Sequence, residues 1–270
     1  MNETNQISRK NMLQFNPAKY ISEETMLNTS QATKEMIQAM QLFAQSNLNT
    51  IIGGACGAGK TELLGWYLGA VNDSFYNQGI LVSERLPELD LDSRYPNKII
   101  INLANGFSLE DSSSLRKILK SETSYFVSGD LRTPLETYNF LQLLQAGING
   151  ATTFQGTTST LVLDHLHSHL MLSNDNISKK QYGDLIVSSM DAIFLQKSLP
   201  DGSRTIAELA EVVGYEGDEF ILNPLFQLDI EAASKGEKNH KQVGFISELL
   251  ANKLLRAGIE QTEFDFLIKK

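Results

Sequence analysis

One stretch, residues 49–62 (NTIIGGACGAGKTE), limits what this chain can fold into more than any other. It holds Gly54-Ala55-Cys56-Gly57-Ala58-Gly59-Lys60-Thr61, a full GxxxxGK[ST] phosphate-binding loop. A β-branched run, Thr50, Ile51 and Ile52, leads into it, and a helix-like segment, TELLGWYLGAV, leaves it. The motif requires that strand–loop–helix setting. Glycines let the backbone turn successive amide N–H groups inward onto phosphate oxygens. The helix start adds its unpaired N–H groups and the positive end of its dipole. On this reading Gly54, Cys56, Gly57, Ala58, Gly59 and Glu62 frame the phosphates, and Lys60 bridges the β and γ phosphates. The Thr61 hydroxyl takes a coordination place on Mg²⁺. A chance glycine-rich turn would not explain why strand, loop, Lys-Thr and helix agree. Cys56, at a variable position of the loop, reads as a small filler.

The pattern around the loop is that of a parallel sheet. Short apolar runs recur at 79–84 (GILVSE), 98–103 (KIIINL), 124–130 (SYFVSGD) and 150–155 (GATTFQ). Between them lie helix-patterned segments, DSSSLRKILKSE and LETYNFLQLLQAG, with Ser or Thr-Pro at their starts and Gly147 closing the second. Unbroken apolar strands alternating with amphipathic helices predict a mostly parallel sheet covered on both faces. Ligands of such sheets sit at the carboxyl ends of the strands, where Glu84, Asp130 and the phosphate loop all fall.

Outside that core the expectations are simpler. Residues 1–21 show no sustained period and read as a flexible lead-in to one domain over 22–270. Ser22-Glu23-Glu24 and Thr29-Ser30-Gln31 look like helix starts, and Met36, Ile37, Met40, Leu42 and Phe43 predict a helix of about four turns before the loop strand. Segments 185–198, 203–213 and 218–228, separated by Pro200-Asp201-Gly202 and Gly214-Tyr215-Glu216-Gly217, predict an antiparallel β-meander over about 185–229. By propensity SRTIAELAEVV also fits a helix. Residues 231–240 read as loop and about 241–257 as a closing helix.

Composition removes several function classes. Twenty-three Lys and Arg against 32 Asp and Glu give a net charge of −9, which argues against a broad electrostatic grip on nucleic acid. A single cysteine rules out an internal disulfide and fits a reducing compartment. The first thirty residues lack a signal-peptide core, and no apolar stretch is long enough to span a bilayer. The expectation is a cytoplasmic protein that meets the inner face of a membrane only through a partner.

Four segments in order resemble the secretion ATPases of type II and type IV systems, most closely the CpaF-like branch of tight-adherence pili and conjugation machines. They are the loop itself, LVSERLPELDL, YFVSGDLRTPLETYNFLQLLQAGINGATTFQG, and LPDGSRTIAELAEVVGYEGDEFILNPLFQLD. The resemblance spans about residues 20–265. It implies a RecA-like P-loop NTPase core with an antiparallel β-meander and a C-terminal helix, binding ATP and Mg²⁺. Carried over by position, Glu84 is the acidic-box glutamate that orients water, Asp130 the Walker B acid that holds Mg²⁺ with Thr61, and Arg132 the arginine just after it. Gln155 falls in the Thr-Thr strand, where it can hydrogen-bond a γ-phosphate or a water. The family also implies a closed ring, a hexamer, working against a membrane platform protein; the net charge leads us to expect no direct nucleic-acid binding. Arg94, Arg116 and Arg132 are candidates for the positive charge that a neighbour sets across the γ-phosphate.

The sequence departs from the family at several of these places. Asp130 stands where Glu is usual, Arg85 where Asp is usual, Lys120 where Arg is usual, and Ile148 and Gln155 replace two histidines. Glutamine cannot carry a proton. A nucleotide-binding structural subunit with weak or no hydrolysis therefore stands as the alternative. A small-molecule kinase would need an Arg- and Lys-rich lid, and the sequence shows none. His165, His167 and His169, beside Asp164, read as a solvated helix face rather than a metal site.

Overall fold

The computed structural model describes residues 21–72, 79–84, 88–103, 107–121, 125–173 and 176–269. The expected lead-in, apart from Ile21, and Arg85 lie outside them. Two helices come first, α1 (Glu23–Asn28) and α2 (Lys34–Gln45), followed by β1 (Thr50–Gly54), α3 (Lys60–Ala70), β2 (Ile80–Ser83), α4 (Leu91–Arg94) and β3 (Ile100–Asn102). Next are α5 (Ser112–Lys120), β4 (Tyr125–Ser128), α6 (Pro134–Gln145), β5 (Asn149–Gln155), α7 (Ser159–Met171) and α8 (Lys179–Ser189). The chain ends with β6 (Ala192–Ser198), β7 (Arg204–Glu216), β8 (Glu219–Leu228), α9 (Ile230–Ser234), β9 (His240–Gln242), α10 (Glu248–Arg256) and α11 (Gln261–Phe264).

The strands form one sheet, ordered β3-β2-β4-β5-β1-β6-β7-β8-β9. From β3 to β6 every pairing is parallel, and from β6 to β9 every pairing is antiparallel. The mostly parallel α/β fold with an antiparallel extension is thus present. Period-2 alternation along β1 sends Ile52 into one core and Ile51 into the other. The first core packs α2, α3 and the C-terminal helices on one face of the sheet, with Phe43, Tyr67 and Phe194 fully buried together. The second packs α6, α7 and α8 on the other face. Each large side chain so buried contributes about 1.5–3 kcal/mol. Buried hydroxyls fix the start of β1: Thr50 Oγ1 and Tyr67 Oη lie 3.0 Å apart, and Tyr125 Oη donates to Leu48 O at 3.1 Å.

Helix starts follow local chemistry. Thr133 caps α6 in a capping box with Glu136 and with Pro134 at the first helical position, while Ser178 and Gln181 do the same for α8. Several expectations need correction. The cap of α2 is Thr33, whereas Thr29 closes α1. Residues 185–189 belong to α8, because its capping box sets a helical register that Tyr182 and Ile186 continue into the core. The second hairpin turns at Gly217-Asp218, both at positive φ (58° and 68°), so Gly214, Tyr215 and Glu216 are strand. Segment 231–240 is not all loop: Asp229 caps α9, and His240 starts β9 on the sheet edge. The closing helix is shorter than expected, capped by Ser247, and α11 follows it.

Candidate functional site

α3 begins differently from the other long helices. Side chains cap α2, α5, α6, α7, α8 and α10, but α3 starts at Gly59 with no side-chain cap. Its first amides are therefore left for another acceptor. Gly57 and Gly59 hold φ at +75° and +92°, a region that side chains rarely allow, and this turns the loop back over the helix start. Lys60 Nζ donates to its own loop, to Gly54 O at 3.1 Å and Ala55 O at 2.9 Å. Burial lowers its pKa, against raising by Cys56, Asp130 and Glu88. A cradle of free amides with an ammonium folded into it suits an anion of several oxygens.

The loop opens onto a cleft of about 490 Å³ at the carboxyl ends of β2, β4 and β5. Lys60, Thr61, Glu84, Asp130, Arg132 and Gln155 all line it. Glu84 follows β2 and lies against Gly129, where an added Cβ would come within 3.1 Å of Glu84 Cγ. Burial pushes the Glu84 carboxyl up to about 7, against the pull of the Leu89 and Glu88 amides. The Leu89 amide donates to Glu84 Oε2 at a long 3.4 Å. Asp130, past the end of β4, is exposed and accepts from Arg132 Nε at 2.5 Å. Gln155 ends β5 opposite Gly54, and its carbonyl accepts from His165 Nδ1 at 3.1 Å.

Other expected residues fall elsewhere. Cys56 is exposed on the loop. Glu62 does not line the cleft and pairs with Arg204. Ile148 is buried in the second core, so its position offers nothing to the cleft. Arg94 packs against Gly65 of α3, and Arg116 is exposed on α5. The histidine face is solvated in part, since His165 is exposed while His167 and His169 are drawn inward. His167 is 5% exposed and donates to Lys179 O at 2.8 Å, while His169 is half-buried beside Phe154, its pKa lowered by burial and by His165. Among the described residues no group of three or more potential ligands could hold a metal by itself. The oxygen pair Thr61 and Asp130 instead suits a hard cation that shares its shell with phosphates.

The polar residues that sequence reasoning missed include Glu88, Glu136, Thr153 and Arg204. Glu88, Glu136 and Thr153 line the cleft. Glu136 is buried and accepts the amides of Arg132 and Thr133, while Thr153 Oγ1 donates to Gly129 O. Glu88 had a signal, since it is the second glutamate of the acidic segment. Arg204 had none, because its partner lies 142 residues away. Among the described residues no helix is long and apolar enough to cross a membrane.

No family model matches the sequence, and no curated protein matches it. Solved structures do match. The VirB11 ATPase of the Brucella suis type IV secretion system aligns at 18% identity over 74% of this chain and 59% of that one, with a TM-score of 0.57. The Legionella pneumophila ATPase DotB aligns at 18% identity over 75% and 53%, with a TM-score of 0.56. This chain spans less than two thirds of the length of either. At that identity the likeness establishes a shared fold, the RecA-like α/β fold of secretion ATPases.

Proposed function

We propose that this chain is an ATP-binding and ATP-hydrolysing motor subunit of the CpaF-like branch, driving pilus assembly, protein secretion or conjugative transfer. Residues 22–270 form its RecA-like domain. The observation that carries the reading is the α3 start, bare of any side-chain cap, with Lys60 folded into its loop and Glu84 held near pKa 7 on the same cleft. The fold shared with VirB11 and DotB, both ATPases, supports it.

The residues divide the work. Loop amides and Lys60 bind the phosphates, Lys60 exchanging two carbonyl partners for charged oxygens. Thr61 and Asp130 would hold Mg²⁺, and their all-oxygen set fits it. Bound there, the ion would offset negative charge on the phosphates. Glu84 is the base. With a pKa near neutrality it is partly ionised at pH 7, accepts a proton from the attacking water and can pass it on. Gln155 orients that water without carrying a proton, and Arg132 balances Asp130. A neighbouring subunit in a closed ring, a hexamer by the family resemblance, supplies the charge across the γ-phosphate. The ring works at the inner face of a membrane through a platform protein.

A phosphate-release assay with and without Mg²⁺, run beside light scattering with a non-hydrolysable analogue, tests this. The expected result is Mg²⁺-dependent release by a species larger than a monomer. Gln155, which cannot relay a proton, favours one second reading. If the oligomer binds ATP but releases no phosphate, the chain is a nucleotide-binding structural subunit.

A further inference from the structure

Arg204 opens β7, paired with Ser198 across the first hairpin. Its side chain crosses to the phosphate loop. A Cβ on Gly59 would meet Arg204 Nη1 at 2.8 Å and Cδ at 2.9 Å, so the guanidinium lies directly on the residue that precedes Lys60. It forms an ion pair with Glu62 in the first turn of α3, and both side chains are partly screened from solvent. Lys238 lies close behind, with Nζ donating to Thr29 O at 2.8 Å and to Arg204 O at 3.4 Å. Arg204 does not line the cleft that holds Glu84 and Asp130. It thus brackets the same helix start from another side.

We propose that Arg204 is a nucleotide-positioning residue that reaches the α and β phosphates from the antiparallel half of the sheet. The inference rests on reading the loop as a nucleotide site. Loop amides cradle the α and β phosphates, while the γ end points toward Lys60 and the carboxylates. A guanidinium against Gly59 and Glu62 therefore meets the α/β end. With no nucleotide bound, Glu62 holds the guanidinium in place. A phosphate that enters competes for the same donors and gains a planar, charge-assisted partner. Because Arg204 begins β7, the contact also ties the antiparallel strands to the nucleotide.

The alternative is a simple brace between β7 and α3, and the two part in one experiment. Fluorescent ADP and ATP are titrated into the parent chain and into Arg204→Ala, Arg204→Lys and Glu62→Gln, with nucleotide-free melting of each. The expected result is a loss of about ten- to a hundredfold for Arg204→Ala, equal for ADP and ATP, and a smaller loss for Arg204→Lys. Glu62→Gln, which releases the guanidinium, tightens both nucleotides by about threefold. Should Arg204→Ala not fold, the Lys and Gln variants keep opposite signs under the proposal. Three results overturn it: arginine variants that bind like the parent, Glu62→Gln weakening in step with Arg204→Ala, or a loss confined to ATP. If the parent binds neither nucleotide, the reading of the loop fails first, and this inference fails with it.

Discussion

Glu84, past the end of a parallel strand, and Glu211, within an antiparallel one, are both drawn in from solvent, yet their surroundings differ. Glu211 is 4% exposed and well supplied with donors: Ser247 N at 3.0 Å, Asn223 Nδ2 at 3.0 Å and the Ser247 hydroxyl. Those bonds tie β7 to β8 and to the cap of α10. At Glu84 the pull of the Leu89 and Glu88 amides and of Arg94 does not offset burial, which lifts its pKa to about 7. A buried carboxylate whose donors answer its burial is a structural joint, whereas one whose burial outweighs its donors is poised to take a proton. On the proposed function, Glu84 is the reactive carboxylate of this pair and Glu211 the bracing one.

The largest effect expected is on the reactive side. Glu84→Gln keeps the shape and removes the base, so Mg²⁺-dependent phosphate release should fall by about 10² to 10⁴ while ATP affinity changes little. Hydrolysis at the parent rate would erase the contrast. On the bracing side, Glu211→Ala leaves the Ser247 amide and Asn223 without their acceptor. It should cost about 3 kcal/mol in urea unfolding, with nucleotide affinity of the folded chain unchanged. A drop in affinity without a drop in stability would move Glu211 to the reactive class.

The parallel half was legible in the sequence because buried parallel strands read as unbroken apolar runs, and each closes on the residue that its loop presents. Glu84 and Asp130 were placed at strand ends that way, while Gln155 was singled out by the family resemblance; all three line the cleft. The antiparallel half was less so. SRTIAELAEVV has helical composition, and it is a strand because β6 and β8 both pair with it. Ile148 read as a lost catalytic position, but burial makes it core. The solvated face expected for the histidines holds at His165 but not at His167, over which α8 and the second hairpin pack, a long-range fact. Arg204 and Glu62 meet only once the sheet is built.

A third prediction returns to the loop. Lys60→Ala removes a charge-assisted donor, so affinity for a fluorescent ATP analogue should fall about a hundredfold, some 2.7 kcal/mol. Its present partners are backbone carbonyls, so stability without nucleotide should change far less. Parent-like binding would show that the cradle does not hold phosphates.

The smallest effect is the sharpest test of why Glu84 differs from Glu211. An exposed glutamate titrates at about 4.3, whereas Glu84 in the folded chain titrates at about 7. Between those values the folded chain holds a proton that the unfolded chain has lost. Stability from this group is therefore complete below about pH 4.3 and drains away as pH rises through about 7. Above that, the ionised carboxylate is a standing cost of the site. Glu84→Gln stays neutral throughout, so its stability relative to the parent should climb with pH, from near zero at pH 4.5 to about 1–2 kcal/mol at pH 8. That figure is discounted from the full shift because the carboxylate is partly open to water in the cleft. Urea unfolding of both chains at pH 5, 6.5 and 8 gives the difference directly, and taking a difference cancels the titrating groups that are not coupled to Glu84. A flat difference would mean that Glu84 is solvated like a surface acid, and the base would lose the burial that tunes it. A climbing one, together with turnover that rises through about pH 7, would tie the cost of burying Glu84 to its chemistry.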